Sequence, residues 1–169
     1  GVYDKMGSQV EELVNMPNPV NFKFTVEGQK LDVCAADIIS HRRALNMKKG
    51  TLIRHTVYRG AKKKRFDYQS MRLISAHEQS IGLMQIALAS RDRDCGIDIN
   101  AGIDASVSNA GMLSEGRKKH FRVKELGQHK KAGFLVAETM EKKHVITFWS
   151  GFYYEIMGKK VYAEDNVFR

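Results

Sequence analysis

Residues able to do chemistry are present in this 169-residue chain, but not in arrangements that complete a reaction. An inverting glycosidase needs two carboxyls about 6.5–9.5 Å apart, one as acid and one to activate water. The candidates are Asp92 with Asp94, which would share one strand face, and the adjacent Glu11 and Glu12. Both pairs sit in polar stretches, without the apolar surroundings that raise an acid's pKa, so they read as solvated carboxylates. The histidines His41, His55, His77, His120, His129 and His144 lack HExxH spacing and read as surface or packing residues, with His77-Glu78 at an expected strand start the most site-like pair. No G-x-S-x-G elbow, Walker loop or GxGxxG occurs, and Asn109-Ala110-Gly111 lacks the context of one. Trp149, Phe152, Tyr153 and Tyr154 form the richest aromatic patch. Aromatics can stack on sugar rings, but alternating aromatics in a late strand are expected first as core.

The elements that would position these residues are strands. Phe22, Phe24 and Val26 alternate with polar neighbours, and Lys30 to Val33 resumes after Gly28, with Leu31 and Val33 on one face: a β-hairpin pattern. Ser40 to Met47 and Thr51 to Arg59 flank a Lys48-Lys49-Gly50 turn, in which Gly50 stands where a three-residue hairpin loop needs positive φ. Arg65 to Ser75, Gly96 to Ser106, Phe134 to Thr139, Val145 to Trp149 and Phe152 to Met157 repeat the β pattern, and Gly158-Lys159 closes a last hairpin. Strands at this spacing predict an antiparallel sandwich or barrel. Periodicity alone leaves Glu78 to Ser90 open between a helical stripe of Ile81, Met84 and Leu88 and a strand face of Ile81, Leu83, Ala87 and Ala89. Ser8 and Glu11 match a capping box, so one helical turn is expected there, ended by Pro17.

Composition narrows the function classes. Hydrophobic residues make up 43% and charged residues 28%, which fits a packed domain rather than a disordered chain. The length suits a single domain over residues 1–169. The longest apolar stretch, Ile81 to Ala89, is about half of the ~20 residues a spanning helix needs, so no membrane partner is expected. Cys34 and Cys95 stand 61 positions apart outside any zinc pattern and are expected as free, reduced core thiols, which with the absence of a leader or Asn-x-Ser/Thr sequon makes cytoplasm the expected compartment. The net charge of +9 raises the possibility of nucleic acid. Yet Arg42-Arg43, Lys48-Lys49, Lys62 to Arg65, Arg117 to Lys119 and Lys142-Lys143 are spread over the chain, mostly at expected turns, as on a solvated surface, and no nucleic-acid partner is expected.

Two stretches carry a family resemblance. They are DIISHRRALNMKKGTLIRHTVYRGAKKKRFDYQSMRLISA from Asp37 to Ala76 and GIDINAGIDASVSNAG from Gly96 to Gly111. Their ordered elements are Arg43-x-Leu45-Asn46-Met47 with Gly50, Arg54, Arg72-Leu73-Ile74-Ser75, and Gly102-Ile103-Asp104 with Val107 and Asn109. Upstream stand Gly1-Val2-Tyr3-Asp4 and Leu13 to Asn18. Together they resemble the N-terminal domain of glycoside hydrolase family 65, which includes maltose, trehalose, kojibiose and nigerose phosphorylases.

The resemblance implies a two-sheet antiparallel supersandwich of the galactose-mutarotase type, truncated here, with Glu78 to Ser90 as strand. It implies that this chain is a fragment, consistent with its start at Gly1, of an enzyme that continues into an (α/α)6 barrel. There a glutamate acts as general acid while inorganic phosphate attacks the anomeric carbon of an α-linked glucose disaccharide with inversion. No residue of this chain is then catalytic, cofactor-binding or metal-ligating, no cofactor is expected, and the domain's part is structural and dimer-forming. The hairpin tip at Lys48 to Gly50 and the loop from Gly111 to His120 are its candidates for approaching the active centre. The alternative is a stand-alone β module that binds carbohydrate or a polyanion.

Overall fold

A computed structural model describes residues 1–5, 10–60, 64–91, 94–110, 116–156 and 158–162. Fourteen strands and no helix occur among them. The chain is all-β and antiparallel, the sandwich class expected from the sequence. It divides into two compact units, Lys23–Asn100 and the combination of Gly1–Phe22 with Ala101–Arg169. Two strands, β3 (Asn18–Val26) and β9 (Ile97–Asp104), carry the chain across the division.

In the Lys23–Asn100 unit, the first expected hairpin forms between β3 and β4 (Gln29–Lys30). Glu27 and Gly28 both have positive φ, 47° and 81°, the two-residue turn whose twist matches that of the strands. The second arm is shorter than expected. Asp32 turns the chain, its Oδ1 accepting the Cys34 amide and its carbonyl the Ala36 amide, so Leu31 and Val33 do not continue the strand. Four long strands follow in sequence order as one sheet: β5 (Asp37–Asn46), β6 (Thr51–Arg59), β7 (Arg65–Ile74) and β8 (Gly82–Ser90). Gly50 has φ 61°, as the turn chemistry requires, and the Asn46 side chain accepts the Lys49 amide. Arg42 and Arg43 lie within β5 rather than at a turn.

The segment left open by periodicity is strand β8 from Gly82 onward, after a turn over Ser75–Ile81. Its inward face is Met84, Ile86 and Leu88, opposite in parity to the expected one, because the register pairs Leu88 with the buried Tyr68. The unit's core consists of Phe24, Val26, Val57, Tyr58, Phe66 and Tyr68, with Phe24 edge-on to Tyr68 at 5.8 Å.

In the other unit, β1 (Tyr3–Asp4) pairs with β2 (Glu12–Leu13). The expected helical turn is absent at Glu12–Leu13, which is strand, and Ser8 lies outside the described residues. A three-stranded sheet joins β10 (Phe121–His129), β11 (Ala132–Thr139) and β12 (Val145–Gly151), and β13 (Tyr153–Ile156) pairs with β14 (Lys159–Tyr162). Strand β10 has no counterpart in the sequence reading. A bulge between Val123 and Glu125 shifts its register, so Val123 and Leu126 do not alternate regularly. The core of this unit gathers Val14, Ile103, Phe121, Leu135 and Ala137.

Both cysteines are free, as expected, but Cys34 is exposed and so is no core thiol.

Candidate functional site

The expected carboxylate pairs separate into structural roles. Glu11 is exposed and joined to Lys142 Nζ at 2.6 Å, and the hydrogen bond from that ammonium holds its carboxyl below the usual glutamate range. Glu12 instead turns toward the interior, with Oε2 accepting from Asn109 Nδ2 at 3.2 Å and lying 3.5 Å from His120 Nε2. Asp92 lies outside the described residues, and Asp94 is exposed. His77 and Glu78 sit in the turn before β8 rather than at a strand start. Glu78 accepts hydrogen bonds from the Ser80 hydroxyl and amide, which keep its carboxyl ionised and low, the reverse of what a general acid needs.

One cluster could not be read from the sequence, because its members lie up to 116 positions apart. His120 is fully buried between two carboxylates, with Nδ1 4.0 Å from Asp4 Oδ2 and Nε2 3.5 Å from Glu12 Oε2. Asp4 is itself fully buried, and its two oxygens accept the amides of Glu141 and Lys142 at 3.3 and 3.0 Å. Asn109 links this cluster to β2. Its Oδ1 accepts the Asn15 amide at 2.8 Å, and its Nδ2 also donates to the Leu13 carbonyl at 2.9 Å. Acid, imidazole and acid are thus assembled, but with Asp4 and His120 sealed from solvent no substrate atom can reach them. Among the described residues no group of three His, Cys, Asp or Glu side chains is placed to hold a metal. The arrangement joins the N-terminal strand pair to the turn after β11.

The remaining histidines are packing or surface groups. His41 Nδ1 meets the Thr56 hydroxyl at 2.8 Å, His55 Nε2 lies 3.4 Å from Asp67 Oδ1, and His129 borders the groove described below. Asp67 also takes two hydrogen bonds from the Arg91 guanidinium, which, with the His55 contact, holds its carboxyl below the ordinary aspartate range. A lowered folded-state pKa means that the stabilisation is complete above the unfolded value of about 3.9 and is lost as pH falls through the folded value. Asp67→Asn is therefore expected to cost about 1 kcal/mol at pH 7 and to flatten the fall of Tm below pH ~4, measured by thermal melts across pH.

The late aromatics are not core, contrary to expectation. Trp149 and Tyr153 are 55% and 52% exposed, and Phe152 and Tyr154 are half-buried. Cross-strand register explains the geometry: Gly127, Phe134 and Trp149 are direct neighbours across β10, β11 and β12. A Cβ at Gly127 would come within 2.8 Å of the Phe134 ring, so the glycine lets that ring lie over its strand. Trp149 packs on Phe134 with centroids 5.1 Å apart. With Ala132, Gly151, Phe152 and Tyr153 it borders an open groove of about 460 Å³ that His129, Lys130 and Lys131 also line. Of the two candidate loops, Lys48 to Gly50 is an exposed tip, whereas Gly111 to Glu115 lies outside the described residues.

Comparison with known proteins adds what the geometry does not. Residues 1–166 match the family described as glycosyl hydrolase family 65, N-terminal domain. The kojibiose phosphorylase of Thermoanaerobacter brockii is 29% identical over 142 residues, covering 83% of this chain and 18% of the relative. That of Escherichia coli strain K12 is 28% identical over 136 residues, covering 76% and 16%. The nigerose phosphorylase of Lachnoclostridium phytofermentans is 28% identical over 107 residues, covering 63% and 14%. The chain thus spans less than a fifth of the length of these relatives. A solved structure assigned as a kojibiose phosphorylase, from the human microbiome, superposes over 78% of this chain and 17% of its own with a TM-score of 0.66 at 17% identity, which places the fold.

Proposed function

Since this chain belongs to glycosyl hydrolase family 65 as its N-terminal domain, we propose that it is the structural, dimer-forming β-sandwich domain of an α-glucosyl disaccharide phosphorylase or hydrolase and is inactive alone. The observation that carries this reading is the match of residues 1–166 to a non-barrel domain in a chain that spans under a fifth of its phosphorylase relatives. The burial of Asp4 and His120 supports it, because the cluster that sets an imidazole between two carboxylates keeps that imidazole and one of its acids out of solvent. The catalytic acid then belongs to the parent's (α/α)6 barrel. That acid protonates the leaving glycosidic oxygen while inorganic phosphate attacks the anomeric carbon from the opposite face, releasing β-glucose 1-phosphate and glucose. The domain packs on the barrel and contributes to a homodimer in the cytoplasm.

The test is turnover. With kojibiose, nigerose, maltose or trehalose and inorganic phosphate, the intact polypeptide is expected to release β-glucose 1-phosphate, or glucose alone if it is a hydrolase, and the isolated chain neither. Turnover by the isolated chain, or inertness of the intact polypeptide toward every α-linked glucose disaccharide, would overturn the reading.

A further inference from the structure

The inner face of the β5–β8 sheet changes character along its strands. At one end Tyr58, Phe66 and Tyr68 are buried, with Phe24 edge-on to Tyr68. Toward the 47–50 tip the same face carries Arg43 directly opposite Arg54, then Leu45, Leu52, Arg72 and Met84 as successive cross-strand neighbours. Leu45 is 65% exposed, and Ile74 and Met47 at that end are 70% and 85% exposed. No Asp or Glu occupies this face on any of the four strands.

Among the described residues none of the three arginines has a carboxylate partner, and Arg43 and Arg54 stand directly opposite each other. Like charges directly opposite on a sheet repel. The Arg54 guanidinium lies 4.2 Å over the Tyr68 ring, which fixes it, while its Nε is buried without a hydrogen-bond acceptor among the described residues. A guanidinium so placed costs free energy until an acceptor arrives. A free anion would satisfy the charges but leave Leu45, Leu52 and Ile74 in water. A protein surface with carboxylates among apolar side chains satisfies both. A second copy of this chain, itself at +9, complements the cluster poorly, whereas more than four fifths of the length of the phosphorylase relatives lies outside the matched region.

We propose that the exposed half of this face, centred on Arg43, Arg54 and Arg72 with Leu45, Leu52 and Met84, docks a carboxylate-bearing apolar surface of the parent polypeptide outside this chain. The proposal rests on the reading of the chain as a domain of a longer enzyme and names the surface that joins the two. Both methionines report on it, Met84 from within the face and Met47 from its tip.

The experiment is a methionine-oxidation footprint of the intact polypeptide with hydrogen peroxide, read by mass spectrometry. Met47 and Met84 are expected to oxidise about tenfold more slowly than a free methionyl peptide. The double variant Arg43→Glu, Arg72→Glu is expected to remove most of that protection, while Arg43→Lys, Arg72→Lys keeps it and Arg42→Glu, on the opposite face, leaves it unchanged. Oxidation of Met47 at the free-peptide rate in the unaltered polypeptide overturns the proposal, and this readout stands even if the double variant fails to fold. So does protection that survives charge reversal, or protection that appears only with added inorganic phosphate, which would mark a free-anion site. Failure of the functional reading has a different signature, loss of α-glucoside turnover with the footprint intact.

Discussion

Asp4→Ala is expected to destabilise the unit built from Gly1–Phe22 and Ala101–Arg169 by about 3 kcal/mol, a fall in Tm of roughly 6–12 °C. The carboxylate is fully buried and accepts two backbone amides, those of Glu141 and Lys142, in the turn that follows β11. Alanine removes both acceptors and supplies none, so two part-buried hydrogen bonds from the turn amides are lost. It also leaves His120, whose ring nitrogens have no hydrogen-bond partner among the described residues, facing Glu12 alone. Asp4→Asn keeps one acceptor oxygen and is expected to recover about half of the loss. Glu11→Ala, which removes an exposed pair with Lys142, is the control and should cost no more than ~0.5 kcal/mol. Urea unfolding of the three variants decides the matter, and an Asp4→Ala midpoint equal to that of Glu11→Ala would show that the buried carboxylate holds nothing.

That prediction starts from a residue whose role the sequence did not reveal. Gly1 to Asp4 and Leu13 to Asn18 were legible as pieces of a family pattern, as was Asn109, but not as neighbours. Contact between them depends on β2 pairing with β1 and on Asn109 reaching across more than 90 positions to Asn15 and Leu13, and no local rule encodes that. Local rules did well where the interaction is local. Gly50 adopts the positive φ that its turn demands, and the long strands β5 to β7 fall where alternation places them, since each pairs with its sequence neighbour. They failed where pairing overrides periodicity. The bulge at Val123 and Glu125 hid β10, and the partnership of Leu88 with Tyr68 reversed the face of β8. The aromatics after Val145 failed for another reason. Their alternation is genuine, but Trp149 and Tyr153 stand on a face left open within this chain.

In the Lys23–Asn100 unit the same accounting separates a side chain's bulk from its polar atom. Tyr58 is fully buried on β6 opposite Phe66, and its hydroxyl has no hydrogen-bond partner among the described residues. The Thr56 hydroxyl, which bears on it, is engaged by His41. Tyr58→Ala removes the ring from a packed site and is expected to cost about 3–5 kcal/mol. Tyr58→Phe keeps the ring and removes an unpaired hydroxyl, so it is expected to be neutral or stabilising by up to ~1 kcal/mol. The two variants also differ at high pH. Burial pushes the phenol above its ordinary value, against the opposing influence of Arg54. The folded state therefore keeps its proton after the unfolded chain has begun to lose its own, and the stability present below pH ~10 falls as pH rises above it. Phenylalanine has no proton to lose, so Tyr58→Phe should hold its Tm better than the parent sequence between about pH 9 and about pH 11. A Tyr58→Phe loss as large as that of Tyr58→Ala would mean that the hydroxyl, not the ring, secures this core.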